Sequence, residues 1–293
     1  MKAFANVHPA VLMFYFLSVL SVSMFASNPV FAVTALLGGI LFCITLQKKS
    51  AIPGNLGFYI PLFFLVAVTN PLFSHNGVTP LFFLNGNPVT MEAFAYGVAI
   101  AVMVIGVMLW CKCYSEVMTS DKFLYLFGKV IPKLGLVLSM ALHFIPMFKR
   151  QLKKVRSAQK TIGLYSARGI VDKLRSNGRV FLAMISWSLE NAMETAASMR
   201  ARGYGTGKRT DFSLFRFTAR DGMLLTVSAC LLGVSVVGMA TRVTAFTFYP
   251  RISTLELSPF SVAVYVAFGV LSFLPFAVEV REAIVWTYYR SKI

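Results

Sequence analysis

Apolar residues along the chain are grouped into long runs that are separated by short polar breaks. Six runs come close to or exceed the roughly 20 residues that an α-helix needs to cross the hydrocarbon core of a bilayer. Polar, proline or charged residues end the runs, such as Ser27-Asn28-Pro29 after the first run. The pattern predicts about six transmembrane helices, at 10–26, 30–46, 52–73, 91–111, 221–241 and 258–280, with a polar loop at 74–90.

Basic residues are concentrated between the fourth and fifth apolar runs. Of the 28 Lys and Arg residues, 20 lie between Lys112 and Arg220, where only 6 of the 11 Asp and Glu residues are found. Membrane proteins retain basic segments on the cytoplasmic side, so this block is predicted to be cytoplasmic. The same rule places both termini inside, which leaves only Arg242 and Arg251 on the opposite side.

These patterns predict an all-α polytopic membrane protein with three regions. Four membrane helices occupy 1–112, a basic cytoplasmic domain occupies 113–220, and two membrane helices with a tail occupy 221–293. Segment 134–148 is apolar but has only about 15 residues and basic residues on both flanks. We therefore expect it to lie against the inner face of the membrane or against the helix bundle, and not to cross the membrane. The protein as a whole is predicted to be L-shaped.

The composition excludes several other classes of protein. Hydrophobic residues make up 57% and charged residues 13% of the 293 positions, whereas soluble chains are about 45–50% apolar and about 25% charged. The formal charge of +17 is confined to one block beside membrane segments, so we expect no nucleic-acid partner. Cys111 and Cys113 lack a nearby histidine or second cysteine pair, so we expect no metal site.

Two helices are predicted inside the basic block. In 148–163, apolar residues recur at helical spacing opposite a basic face, which is also typical of a helix resting on anionic lipid. Segment 179–202 contains no Gly or Pro and predicts a helix about 36 Å long. Its second half has small residues at a spacing that allows close helix packing, namely Ala192, Ala196 and Ala197.

The sequence Met199-Arg200-Ala201-Arg202-Gly203-Tyr204 ends the longer of these helices. Gly203 suits the position after a helix C-terminus that requires a positive φ angle. A second Ala-Arg-Gly triplet occurs at Ala167-Arg168-Gly169. An arginine held at an exposed helix end can donate several directed hydrogen bonds into an acidic groove of a partner.

With its basic helix, Ala-rich helix, Met-Arg-Ala-Arg-Gly-Tyr motif and final hydrophobic span, the chain resembles the transmembrane T component of energy-coupling factor (ECF) transporters, the CbiQ-like or EcfT family. The resemblance covers essentially the whole chain, and the start at His8-Pro9 is consistent with it. It implies a non-catalytic scaffold whose two coupling helices dock two ABC ATPase subunits. A separate S component would bind the imported vitamin or metal ion, while ATP and magnesium would be bound only by the ATPases.

The resemblance assigns ATPase docking to residues at the two helix ends. Ala201, Arg202 and Gly203 match the second motif, and Arg200 and Tyr204 flank it. For the first motif two registers are open. Either Gly163 marks the helix end shortly after Gln159, which is the register we favour, or Arg168 and Gly169 supply the motif six residues later.

Three alternatives compete with this interpretation. An amphipathic lipid-binding structural protein would explain the basic charge but not two glycine-terminated arginine ends. An ABC permease that binds its own substrate would need a polar path through the bundle, yet the predicted spans carry few ionisable residues, chiefly Glu92, Asp221 and Glu279 near span ends. A membrane-embedded lipid-modifying enzyme would need an acidic or histidine cluster, yet Glu190 and Glu194 have no histidine or metal partner. The sequence therefore favours a transport scaffold in a bacterial or archaeal cell membrane.

Overall fold

The computed structural model describes residues 4–46, 52–74, 77–84, 87–163, 169–207 and 215–290. Within these ranges, a short 3-10 turn at Phe4–Asn6 is followed by helices and one two-stranded sheet. The elements are α1 (Pro9–Phe25), α2 (Pro29–Leu46), α3 (Ile52–Phe73), β1 (Pro80–Leu84), β2 (Asn87–Thr90), α4 (Met91–Val117), α5 (Ser120–Val130), α6 (Pro132–Thr161), α7 (Ile170–Ala201), α8 (Ala219–Ala240) and α9 (Pro259–Arg290).

Four of the described helices are long and apolar enough to cross a membrane: α2, α4, α8 and α9. Helix α1 and the segment Gly57–Phe73 of α3 are also apolar but shorter. The predicted class, an all-α membrane protein, is confirmed by this architecture. The count of six spans, the L shape and the cytoplasmic position of the termini remain predictions.

The predicted loop at 74–90 contains a β-hairpin, which the sequence analysis missed. Strands β1 and β2 pair antiparallel, with Phe83 opposite Pro88 and Leu84 opposite Asn87. The hairpin is attached to the start of α4 through Glu92, whose carboxylate accepts hydrogen bonds from the backbone N–H and the hydroxyl of Thr79. Glu92 is therefore satisfied by local donors, as a buried carboxylate must be.

Helices α6 and α7 are both longer than predicted. Pro132 occupies the first turn of α6, where its missing N–H costs nothing, and the helix continues through Pro146 to Thr161. Helix α7 begins at Ile170, nine residues before the predicted start, and includes Gly178. A glycine inside a helix costs only about 1 kcal/mol, and Ser176 in the added part of α7 is buried.

The chain divides into two compact units. One consists of Met1–Phe123 and Phe215–Ile293, and the other of Leu124–Leu214. The first unit contains the apolar helices and the hairpin, and we call it the membrane unit. The second contains most of α5 and all of α6 and α7, and we call it the basic unit.

Aromatic side chains form the core of the membrane unit. Trp110 of α4 is fully buried and donates its indole N–H to the carbonyl oxygen of Ala35 in α2, at 2.9 Å. The Tyr15 hydroxyl of α1 donates to the Leu271 carbonyl oxygen of α9, at 2.8 Å. Buried polar tips of large aromatic residues need such partners, and here they connect α1 to α9 and α2 to α4.

The first residues of the chain are held by three buried charged side chains. The Phe4 N–H donates to Glu279 at 2.9 Å, and the His8 N–H donates to Asp221 at 3.0 Å. Lys122 donates to the carbonyl oxygens of Ala5 and Val117. Asp221 also completes a capping box with Thr218 at the start of α8. These ionisable side chains therefore bind the backbone of the chain itself. A polar substrate path would instead need ionisable side chains that are available to the substrate.

Candidate docking site at two helix ends

Helix α7 ends in a Schellman motif that Gly203 makes possible. The Tyr204 N–H donates to the Met199 carbonyl oxygen at 3.0 Å, and the Gly203 N–H donates to that of Arg200 at 2.9 Å. Gly203 has a φ of +80°, a left-handed conformation that only glycine adopts without strain. The predicted backbone conformation at Gly203 is confirmed.

The side chains of this helix end are open to solvent. Ala201, Arg202 and Gly203 are exposed, and Tyr204 is 50% exposed. Arg200 lies in the last turn of α7, where a cation interacts favourably with the negative end of the helix dipole. Thr206 donates its hydroxyl to the Gly203 carbonyl oxygen at 2.7 Å and thereby closes the turn that follows. The arrangement presents two guanidinium groups on a well-defined backbone.

Helix α6 ends in the same backbone conformation. Gly163 has a φ of +78°, and its N–H donates to the Lys160 carbonyl oxygen at 3.1 Å. Lys160 therefore occupies the same position relative to the end of α6 as Arg200 occupies relative to the end of α7. Ile162, which is 75% exposed, occupies the position that corresponds to Arg202. The two helix ends share their geometry but present different side chains.

The structure places Gly163 at the end of α6 and Gly169 at the start of α7. Gly169 is the N-cap residue of α7, with a φ of −83°, so it does not end a helix. Arg168 lies outside the described residues. The carbonyl oxygen Oε1 of Gln159 is buried, and no donor among the described residues reaches it. The docking roles of these residues remain predictions in either register.

Helices α6 and α7 pack against each other through aromatic side chains. The rings of Phe148 and Trp187 meet edge to face, with centroids 5.3 Å apart. Residues further along α6, Leu152 and Arg156, line a groove with earlier residues of α7, 177–188. The two helices therefore run antiparallel where they meet, and their C-terminal ends point away from each other. At 1.5 Å per residue, each end lies about 20 Å from the Phe148–Trp187 contact.

The predicted helix-packing residues lie on the second half of α7. Ala192 and Ala197 are exposed and Ala196 is half-buried. They lie on one face of the helix with Leu189 and Met193, which are 61% and 68% exposed. We call these five residues the α7 stripe. Its spacing of i, i+3, i+4, i+7 and i+8 is that of a helix face that packs against another helix.

The contact between α6 and α7 involves residues that the sequence analysis did not single out. Val180 and Met184 are the most buried apolar residues of this contact, at 4% and 8% exposure. Their spacing with Trp187 follows one helix face, and this spacing was a usable signal. All three residues lie inside the helix predicted at 179–202, so the sequence already carried this signal.

We expect replacement of Gly203 by alanine to loosen the end of α7. A non-glycine residue in the left-handed region costs about 1–2 kcal/mol, which would favour unwinding of the Schellman turn. Limited proteolysis should then cut near residue 203 several times faster than in the parent chain. Gly207→Ala is the matched control. Gly207 does not have a positive φ, and a Cβ atom added there would have no other atom within 4 Å. Equal cleavage of both variants would contradict the assignment.

The fold and the paired helix ends define an all-α cell-membrane protein that carries a basic helical unit with two exposed, glycine-terminated helix ends. This class is made specific by comparison with known families. The family model CbiQ, described as cobalt transport protein, matches residues 4–214. The chain belongs to this family, and its resemblance to ECF transmembrane components is confirmed.

Curated relatives carry the name energy-coupling factor transporter transmembrane protein EcfT. The relative from Listeria innocua is 27% identical over 199 residues, which cover 60% of this chain and 75% of that protein. The relative from Staphylococcus aureus is 26% identical over 181 residues, 57% of this chain and 68% of that protein. The relative from Lactobacillus helveticus is 25% identical over 118 residues, and this chain spans only 43% of its length. The chain is a membrane component of the ECF transporter type.

Proposed function

We propose that the chain is the scaffold that couples ATP hydrolysis by two ABC ATPase subunits to a substrate-binding S component in an ECF importer. The observation that carries this proposal is the pair of exposed, glycine-terminated ends of α6 and α7, which point in opposite directions. Two separate ends suit two separate ATPase subunits. The chain itself would bind neither ATP nor magnesium and would perform no covalent chemistry.

Each helix end would insert into a groove on one ATPase. At the end of α7, Arg202 and Arg200 favour an acidic groove, because guanidinium groups form short, directed hydrogen bonds to carboxylates. The Schellman turn at Gly203 fixes the direction in which these side chains leave the helix. At the end of α6, the exposed Ile162 supplies an apolar contact in place of a guanidinium group.

Closure of the ATPases on binding ATP would then move the two helix ends relative to each other. Both helices are continuous between these ends and their mutual contact, so they would act as levers about 20 Å long. The packed Phe148–Trp187 pair would be the point about which they turn. This movement would reorient the S component and release the vitamin or metal ion that it carries to the cytoplasm.

The α7 stripe is the surface that we assign to the S component. Its apolar and small side chains are exposed in this chain, and small residues let a second helix approach closely in a membrane environment. The basic unit would lie on the cytoplasmic side with both termini, because that is where basic segments are retained.

We expect Leu189→Asp to release the S component from the complex while both ATPases stay bound. A carboxylate placed in an apolar helix contact costs several kcal/mol when it is left unpaired, so recovery of the S component should fall at least tenfold. The measurement is co-purification of the full complex in mild detergent. Asn191→Asp is the control, because it adds the same charge on the opposite face of α7. Loss of the S component from both variants, or from neither, would contradict this assignment.

Affinity purification of the chain from its native membrane tests the proposal as a whole. The expected result is recovery of two ATPase subunits and an S component with the chain, together with ATP hydrolysis by the complex. A chain that transports its substrate when reconstituted without any ATPase would refute the proposal.

A further inference from the structure

Two adjoining depressions lie along α6 in the basic unit. One is a cationic recess of about 250 Å³, lined by Lys149, Leu152, Lys153, Arg156, Ser157 and Lys160. The other is a mostly apolar groove of about 420 Å³ between α6 and α7. They share Lys149, Leu152 and Arg156, so the charged recess adjoins the apolar groove.

The groove has the lining that an acyl chain requires. Its floor contains Val180 and Met184, which are almost fully buried, and its sides contain Phe148, Leu152, Phe181 and Ile185. The volume is within the range of small-ligand pockets, about 300–1,000 Å³. Because the groove adjoins four cations, an occupant with an anionic head and an apolar chain fits it better than an apolar partner helix.

The recess has the charge that a phosphate headgroup requires. Its four cations follow one face of α6 at spacings of four, three and four residues, and segment 148–163 contains no acidic residue. Ser157 adds a hydroxyl donor to the same surface. Lysine and arginine side chains at this density attract anionic headgroups, and each contributes about 1 kcal/mol near a membrane surface.

We propose that the recess and the groove together form a binding site for one anionic phospholipid. The phosphate would lie among Lys149, Lys153, Arg156 and Lys160, and one acyl chain would lie in the groove against Val180 and Met184. The lipid would contact both helices beside the Phe148–Trp187 pair and hold them together. This site differs from a general attraction to membranes because it uses only one side of the basic helix.

Trp187 provides a reporter of the acyl chain, because it packs on Phe148 at the edge of the groove. The full-length chain carrying Trp286→Phe would be purified in detergent and titrated with phosphatidylglycerol brominated on its acyl chains. We expect saturable quenching of Trp187, and at least tenfold weaker quenching by brominated phosphatidylcholine. Trp110 is fully buried in the membrane unit and should not respond.

Three results of this titration would overturn the proposal. Equal quenching by the two lipids would show that the headgroup is not recognised. If an equal concentration of inorganic phosphate reverses the quenching, the recess binds a free anion and does not require the acyl chain of a lipid. If neither lipid quenches Trp187 but an acidic helical peptide shifts its emission, the groove would be assigned to a protein partner.

Matched variants separate the site from bulk electrostatics. Lys153→Gln with Lys160→Gln removes two recess cations and should weaken phosphatidylglycerol binding on the order of tenfold. Arg150→Gln with Lys154→Gln removes two cations of the same helix that do not line the recess, and should change binding less than twofold. Equal losses from the two pairs would overturn the headgroup assignment.

A second pair of variants tests the groove. Phe181→Gln replaces an exposed apolar residue that lines the groove and should weaken binding several-fold. Leu182→Gln replaces its neighbour, which is equally exposed but does not line the groove, and should leave binding unchanged. Both positions are exposed, so neither variant should impair folding, which circular dichroism would verify. Unchanged binding in Phe181→Gln would overturn the placement of the acyl chain.

Discussion

Replacing Arg202 by glutamate is expected to abolish binding of the ATPase at the end of α7 and, with it, ATP-dependent uptake. Truncating one partner of a buried charge pair costs about 2–5 kcal/mol, which weakens an interface roughly 30-fold to several thousand-fold. Charge reversal adds repulsion from the acidic groove. The folded chain should tolerate the change, because the Arg202 side chain is exposed and only its backbone takes part in ending the helix.

The measurements are co-purification of the ATPases and uptake into reconstituted vesicles, with membrane insertion of the chain as the check on folding. Arg175→Glu is the matched control, since Arg175 is an exposed arginine of the same helix far from its C-terminal end. Arg202→Gln should give an intermediate loss. Normal uptake by Arg202→Glu, or an equal loss in Arg175→Glu, would refute the role proposed for Arg202.

Replacing Gly38 by valine is expected to destabilise the membrane unit. A Cβ atom at Gly38 of α2 would lie 2.8 Å from the carbonyl oxygen of Ser272 and 2.9 Å from its Cβ, in α9. The backbone of α9 cannot move away without disturbing the helices packed around it, and such overpacking costs about 1–3 kcal/mol. For a domain of this size, that should lower Tm by roughly 2–4 °C per kcal/mol.

Thermal unfolding of the purified chain in detergent measures this effect. Gly233→Val in α8 is the control, because nothing lies within 4 Å of a Cβ atom at Gly233. Valine is the better helix former of the two residue types, so the control should leave Tm unchanged or raise it slightly. Equal values of Tm for the two variants would show that α2 and α9 do not approach each other at Gly38.

The ends of α6 and α7 illustrate which parts of the candidate site could be predicted. Gly203 was predicted to follow the last helical residue with a positive φ, because few residues other than glycine adopt that conformation. Gly163 adopts the same conformation at the end of α6 and was one of two candidates. The choice between Gly163 and Gly169 depended on where α7 begins, since a glycine before a helix and a glycine after one look alike in sequence.

The errors arose where packing overrode local preference. Local preference alone predicts a helix boundary at Gly178 and separates segment 134–148, which contains Pro146, from the basic helix that follows. Both residues lie inside helices, despite a local cost of about 1 kcal/mol for glycine and about 3 kcal/mol for proline. In α7, burial of Ser176, Val180 and Met184 offsets the cost of Gly178. The hairpin at 80–90 had a signal in Asn85-Gly86, a dipeptide that favours tight turns between strands.

The linear pattern of residue types was sufficient to identify an all-helical membrane protein, its basic segment and the glycine-terminated helix end at Arg202. These features depend on hydrophobicity, charge and backbone conformation, which act over a few neighbouring residues. Other features join residues that are distant in the chain. These are the antiparallel contact of α6 with α7, the groove beside it, and the hydrogen bonds that the N-terminal segment forms with Glu279, Asp221 and Lys122. They depend on which surfaces pack together, because packing alone brings such residues within a few ångströms.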